Sequence, residues 1–136
     1  MSIAGIRSAI ASALTSVTFL KRIYTYPPES IGEPPCAYIV PKSGNFHDDF
    51  AGSMTHEFEV VVLLTIGPGF TQQQTALDLL IDETASAIRA AIEGASLGSN
   101  ADAIVVTGYH DYGGIQYGEN PTQTFMGVKF DVQVST

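Results

Sequence analysis

Thr55-His56-Glu57-Phe58-Glu59-Val60-Val61-Val62-Leu63-Leu64-Thr65-Ile66 is the stretch whose reading decides the fold. Phe58, Val60, Val62, Leu64 and Ile66 recur at every second position, with Glu57, Glu59, Val61, Leu63 and Thr65 between them. A period of two belongs to a strand, because successive side chains leave an extended backbone on opposite sides. Burying the first set contributes about 1.5–3 kcal/mol per side chain, and a one-residue slip would turn all of them to water, so the register is strongly specified. Gly67-Pro68-Gly69 ends this predicted central strand. Its second face mixes Val61 and Leu63 with Glu57 and Glu59, which suits a face that is partly solvated or covered by another subunit.

Downstream, FTQQQTALDLLIDETASAIRAAIEG carries Leu77, Leu80, Ile81, Thr84, Ile88, Ala91 and Ile92 on one helical face. Thr71 suits its N-cap and Gly94 its end. Upstream, Ile3, Ile6, Ile10, Leu14 and Val17 recur at helical spacing and predict an N-terminal helix. The first 22 residues superficially look like a signal peptide, but Arg7, Ser8, Ser12, Thr15 and Ser16 interrupt the apolar run such a core needs. Residues 19–26 read as a short strand, residues 26–35 with four prolines as an extended arm, and Cys36 to Val40 as an apolar strand. Two more strands are expected, from Ala103 to about Tyr109 and from Phe125 to Val134, joined by a long polar hairpin tip. The order is αβββαββ. Two helices laid over one face of a mostly antiparallel, mixed sheet of about five strands would bury every stripe, which gives an α+β fold in a single domain over residues 1–136.

The bulk numbers agree with one domain: 136 residues, 45% apolar, hold one core. Asp and Glu number 14 against 6 Lys and Arg, for a formal charge of −8. The six cations are scattered, so no basic stripe exists to neutralise a nucleic-acid backbone. Charge is also uneven, with four of the cations and two of the acids lying in residues 1–42. Such a split suits a molecule whose faces meet different neighbours. Cys36 is the lone cysteine, which rules out an intrachain disulfide and thiolate-rich zinc sites and matches a reducing cytosol. No segment reaches the length of a membrane span.

Two stretches invite a chemical reading. SGNFHDDFAGS, Ser43 to Ser53, sets His47 beside Asp48 and Asp49, but neighbours on an extended loop diverge, and zinc wants at least three protein ligands. The stretch then reads as a solvated loop tip between strands or as a partner-binding loop, the latter because Phe46 and Phe50 flank the charges where a merely solvated tip would favour polar residues. GYHDYGGIQYGENPTQ, Gly108 to Gln123, has glycines without the lysine or the following helix of a phosphate cradle, and Tyr109, Tyr112 and Tyr117 are placed to pack on the sheet end or on a neighbour. His110 adjoins Asp111, yet adjacent strand residues face opposite ways, so the pairing carries no geometry. Cys36 enters an apolar strand and reads as a small buried residue rather than a nucleophile. No catalytic, cofactor or metal residue is expected.

Taken in order, the elements are an amphipathic helix, a proline-rich arm, the Pro35-Cys36-Ala37-Tyr38-Ile39-Val40-Pro41 strand, a polar loop and the His56-Glu57-Phe58-Glu59-Val60-Val61-Val62 strand. The Ala76-Leu77-Asp78-Leu79-Leu80 helix follows, ending Ser86-Ala87-Ile88-Arg89-Ala90-Ala91-Ile92, and then the Tyr112-Gly113-Gly114 to Phe130-Asp131-Val132 hairpin. This arrangement resembles the tail terminator and tail-completion proteins of long-tailed bacteriophages, siphoviruses and myoviruses, over nearly the whole chain. The resemblance implies a non-enzymatic virion neck protein, assembled in the host cytoplasm. It implies a hexameric ring that caps the tail-tube protein and offers a surface to the head connector or closure protein. DNA would pass its lumen without specific binding, and neither cofactor nor membrane is involved. The family meets the tube through a loop near the start of its long strand, which here is Ser43 to Ser53, with Phe46, Asp48, Asp49 and Phe50 as the expected contacts. Val61, Leu63, Tyr112 and Tyr117 are the expected subunit interface. The alternatives are a head-closure or connector adaptor ring and, from another class, a small cytosolic ligand-binding or enzymatic α+β module.

Overall fold

Among the described residues, alternating and helical apolar periods resolve into two helices on one face of a five-stranded sheet. The structure is a computed structural model and describes residues 3–18, 20–28, 31, 35–45, 54–63, 75, 78, 85–98, 101–117 and 123–135. The elements are α1 (Ile3–Leu14), β1 (Arg22–Tyr24), β2 (Cys36–Asn45), β3 (Thr55–Leu63), α2 (Ala85–Glu93), β4 (Ala103–Tyr117) and β5 (Gln123–Ser135). Strand order across the sheet is β1-β2-β3-β5-β4. Among the described strands only the β1–β2 pairing is parallel, and the expected α+β class and element order hold.

The main core lies between the helices and the sheet. Phe58, Val60 and Val62 of β3 and Val128, Phe130, Val132 and Val134 of β5 point into it, against Ile6, Ile10 and Leu14 of α1 and Ile88 and Ile92 of α2. The alternation in β3 therefore faces the way its sequence predicts. Ile3, the first helical residue, stays exposed, while Arg7 is buried with its guanidinium 4.2 Å from the centroid of the Tyr26 ring. Of the long predicted helix, Ala85–Glu93 is described, and Thr75 and Asp78 are helical and exposed. Leu77, Leu80, Ile81, Thr84 and the expected N-cap Thr71 lie outside the described residues.

Three features differ from the sequence expectations. First, β2 continues past Val40, through a register shift at Pro41/Ser43, so that Ser43, Gly44 and Asn45 pair with Glu57, His56 and Thr55 instead of starting a loop. Gly44 lies against the His56 ring, and a Cβ there would require that ring to move. Second, most of the glycine-rich stretch is strand: β4 runs to Tyr117 across shifts at Val106/Gly108 and His110/Gly113. Extra residues at those bulges break the alternation that would have announced a strand, and Asp111 takes the left-handed φ of 52° in the second one.

The third difference concerns the sheet face opposite the helices. Val61 and Leu63 are 2% and 0% exposed within a single chain. The β4–β5 pairing extends beyond Leu63↔Gly127 to Tyr117↔Gln123, and Ile115 and Phe125 of this arm pack with Val61 and Leu63, together with Cys36, Tyr38 and Ile31. Tyr117 sets its ring 5.3 Å from that of Tyr38, and its hydroxyl donates to the Pro28 carbonyl in the proline-rich arm. The chain thus covers with its own hairpin and arm the patch expected to meet a neighbour.

This second cluster gives a pH prediction. Burial pushes the Cys36 thiol up to about 11 and the Tyr38 phenol up to about 12, and Tyr117 also rises through burial. The folded chain then holds protons that the unfolded chain has lost, so this stability is intact below about pH 9 and declines as pH rises through 9 to 12. Unfolding free energies from urea titrations at pH 8 to 11 should fall steadily, by on the order of 2 kcal/mol in total. A flat profile would mean that these groups are solvated.

Candidate functional site

The outer face of the sheet divides into two halves. The apolar half, under the β4–β5 arm, is the cluster just described. The polar half is fixed by register: Glu59 of β3 lies opposite Asp131 of β5, which pairs on its other side with Gly108, and Lys129 lies opposite His110 of β4. Two carboxylates thus sit side by side with an imidazole reaching between them.

With its proton on Nδ1, His110 donates to Asp131 Oδ2 at 2.9 Å, while Nε2 lies 3.6 Å from Glu59 Oε2 and 3.8 Å from Asp111 Oδ2. Asp111 reaches the ring because its left-handed backbone breaks the strand alternation, which overturns the expectation that these sequence neighbours diverge. Lys129 Nζ lies 3.2 Å from Asp111 Oδ2, and Lys42 Nζ lies 3.5 Å from Asp131 Oδ1. A neutral imidazole has one N–H to give, and a protonated one donates at both nitrogens and matches the two lysines against the three carboxylates. The ring therefore ties β3, β4 and β5 together. An Asp–His pair is also the orienting half of a general base, but the ring's partners among the described residues are carboxylates.

No group of three His, Cys, Asp or Glu among the described residues is arranged to hold a metal ion. His56 stands apart from His110, beside Gly44 and with its ring 6.5 Å from that of Phe58. His47 lies outside the described residues. So do the expected tube contacts Phe46, Asp48, Asp49 and Phe50. What is described are the strand ends on either side of them, Asn45 closing β2 and Thr55 opening β3, with Ser43 Oγ donating to Glu57 Oε2 at 3.1 Å. Thr55 pairs with Ser135, which also pairs with Ala103, so these strand ends, the start of β4 and the end of β5 share one end of the sheet.

Of the four expected interface residues, Val61 and Leu63 are interior, Tyr117 is half-buried against Tyr38, and Tyr112 lies in β4 inside the bulge between His110 and Gly113. The physical reason for the correction is the bent hairpin, which supplies the apolar cover that the sequence assigned to a second copy. What stays exposed is at the edges. Val105 and Tyr109 on β4 are 41% and 53% exposed, and Tyr26 beyond β1 is 57% exposed. Between α2 and β4 runs a groove of about 290 Å³, lined by Ser86, Arg89, Val106, Thr107, Gly108, Tyr109 and Phe130. Glu93 bridges its far side, one oxygen taking Arg89 Nε at 3.1 Å and the other the Val106 N–H at 3.2 Å. No helix among the described residues is long and apolar enough to cross a membrane. A scan against protein-family models matches no family to this chain, and a search of the curated proteins finds no match.

Proposed function

We propose that the chain is a structural neck protein of a long-tailed bacteriophage, a ring that caps the tail tube and presents the surface to which the head joins. The observation that carries the reading is the pairing of β2 and β3 out to Asn45↔Thr55, which holds side by side, at one end of the sheet, the two strand ends that flank the segment containing Phe46, Asp48, Asp49 and Phe50. Fixing the two ends of a contact segment lowers the conformational entropy it loses on binding. The order of elements along the chain, αβββαββ, supports the same reading. So does the acidic balance of −8, which in a ring would keep passing DNA from adhering to the lumen.

The test is capture of the tail-tube protein by the purified chain. Phe46→Ala combined with Phe50→Ala should leave the thermal melt unchanged and weaken capture by at least about 2 kcal/mol, roughly thirtyfold. Capture that survives the double substitution removes the loop from the contact. Capture of the head connector without the tube protein would move the chain to the adaptor layer.

A further inference from the structure

Among the described residues the most buried cation, Arg7 of α1, has no carboxylate beside it, while more exposed cations have one each. Lys42 meets Asp131 at 3.5 Å, Lys129 meets Asp111 at 3.2 Å and Arg89 meets Glu93 at 3.1 Å. Arg7 is 8% exposed, and its Nε is closed off from solvent without a hydrogen-bond partner among the described residues. What it does have is the Tyr26 ring, 4.2 Å from the guanidinium carbon. A ring occupies the flat face of a guanidinium and leaves its N–H donors, which lie in the plane, for another group. Water could fill a hydrogen bond there but would not offset the charge, and a buried charge without a counter-charge is among the costliest arrangements a fold can keep. Tyr26 is 57% exposed, which puts the pair at the rim of the molecule, between α1 and the chain just past β1.

We propose that Arg7, held flat on the Tyr26 ring, is a binding site for one carboxylate group supplied by another molecule. A carboxylate matches both features of the site. Its single negative charge offsets one guanidinium, and its two coplanar oxygens accept from Nε–H and a neighbouring Nη–H at once. Stacking on Tyr26 fixes the plane of the fork in advance, so little side-chain freedom is lost on binding. The chain carries 14 acids, yet none of the described ones is spent on Arg7. Keeping such a charge lowers the stability of the free chain, a cost that binding sites carry and purely structural positions shed. The carboxylate comes either from an acidic side chain of another protein or from a small free acid. The site holds whether or not the chain caps a tube.

Nuclear magnetic resonance of the arginine Nε–H groups in the full chain tests it, with sodium acetate exchanged for sodium chloride at constant ionic strength. The Arg7 signal is assigned by elimination, using Arg22→Lys and Arg89→Lys at the two exposed arginine positions. It should move saturably, with half-saturation at about 10–100 mM acetate, while the Arg22 and Arg89 signals drift without saturating. A blocked Gly-Glu-Gly peptide that binds tighter than acetate names an acidic side chain as the source, and one that binds no tighter names a free acid. Arg7→Met, which keeps the apolar stem and removes the charge, should raise the melting midpoint of the free chain by at least about 3 °C. An Arg7 signal that does not saturate overturns the site. A midpoint that falls in Arg7→Met, and falls as well in Glu29→Gln or Glu33→Gln, whose positions lie outside the described residues, makes the counter-charge internal and also overturns it.

Discussion

Phe58→Ala should lower the unfolding free energy by about 3–5 kcal/mol, the range for emptying a fully buried aromatic site. Phe58 is 1% exposed and is the largest of the fully buried side chains among the described residues. It sits in β3 with Pro41 of β2 opposite on one side and Val132 of β5 on the other. Strands on both sides and helices above hold the site open after truncation, so collapse cannot recover the lost contacts. A domain of this size has about 5–15 kcal/mol in hand, which places the variant close to the edge of folding at 37 °C. Urea titration should show a lower midpoint at an unchanged slope, and Phe58→Leu should return most of the loss. A loss below about 1 kcal/mol would mean that β3 is not the centre of the core.

Gly127→Val should cost at least about 3 kcal/mol, through overpacking rather than a cavity. A Cβ at this position would collide with the Val62 carbonyl oxygen and come within 3.1 Å of Ile115 Cδ1 and 3.2 Å of Leu63 Cδ2. The carbonyl belongs to the central strand and cannot swing away, so β5 must lift from β3 where the hairpin arm begins. The damage is therefore directed: Val61, Leu63, Ile115 and Phe125 lose their mutual burial while the helix side of the sheet keeps its packing. Binding of a hydrophobic dye to the folded variant should rise, and Cys36 should become reactive toward thiol reagents at pH 8 as its burial is lost. Gly108→Ala is the control, since a Cβ there meets open space, and it should change stability by less than about 0.5 kcal/mol.

The parts of the fold written as uninterrupted periods were legible in the sequence. Phe58-Val60-Val62 and Val128-Phe130-Val132-Val134 announce their strands and their core-facing sides, and Ile6-Ile10-Leu14 announces α1. The β4 strand was not legible beyond Tyr109. Its two bulges each insert residues that reset the alternation, and glycines with an aspartate at φ 52° look like turn chemistry until the partner strand is known. The cover over Val61 and Leu63 was hidden for a related reason. A sheet face with mixed polarity does not say whether its apolar half meets another subunit or a bent hairpin of the same chain. The cluster of Glu59, His110 and Asp131 draws on three strands and exists only once the β3–β5 and β4–β5 registers are set, so no local motif could have signalled it.

In the proposed reading, copies of the chain form a ring whose Ser43 to Ser53 segments engage the end of a tail tube. Electron microscopy of tail tubes incubated with the purified chain addresses it most directly. The expected image is a ring one subunit thick at a single end of each tube, with bare ends when Phe46→Ala/Phe50→Ala is used instead. Tubes whose ends stay bare with the wild-type chain, at concentrations where it is folded and self-associated, would contradict the account.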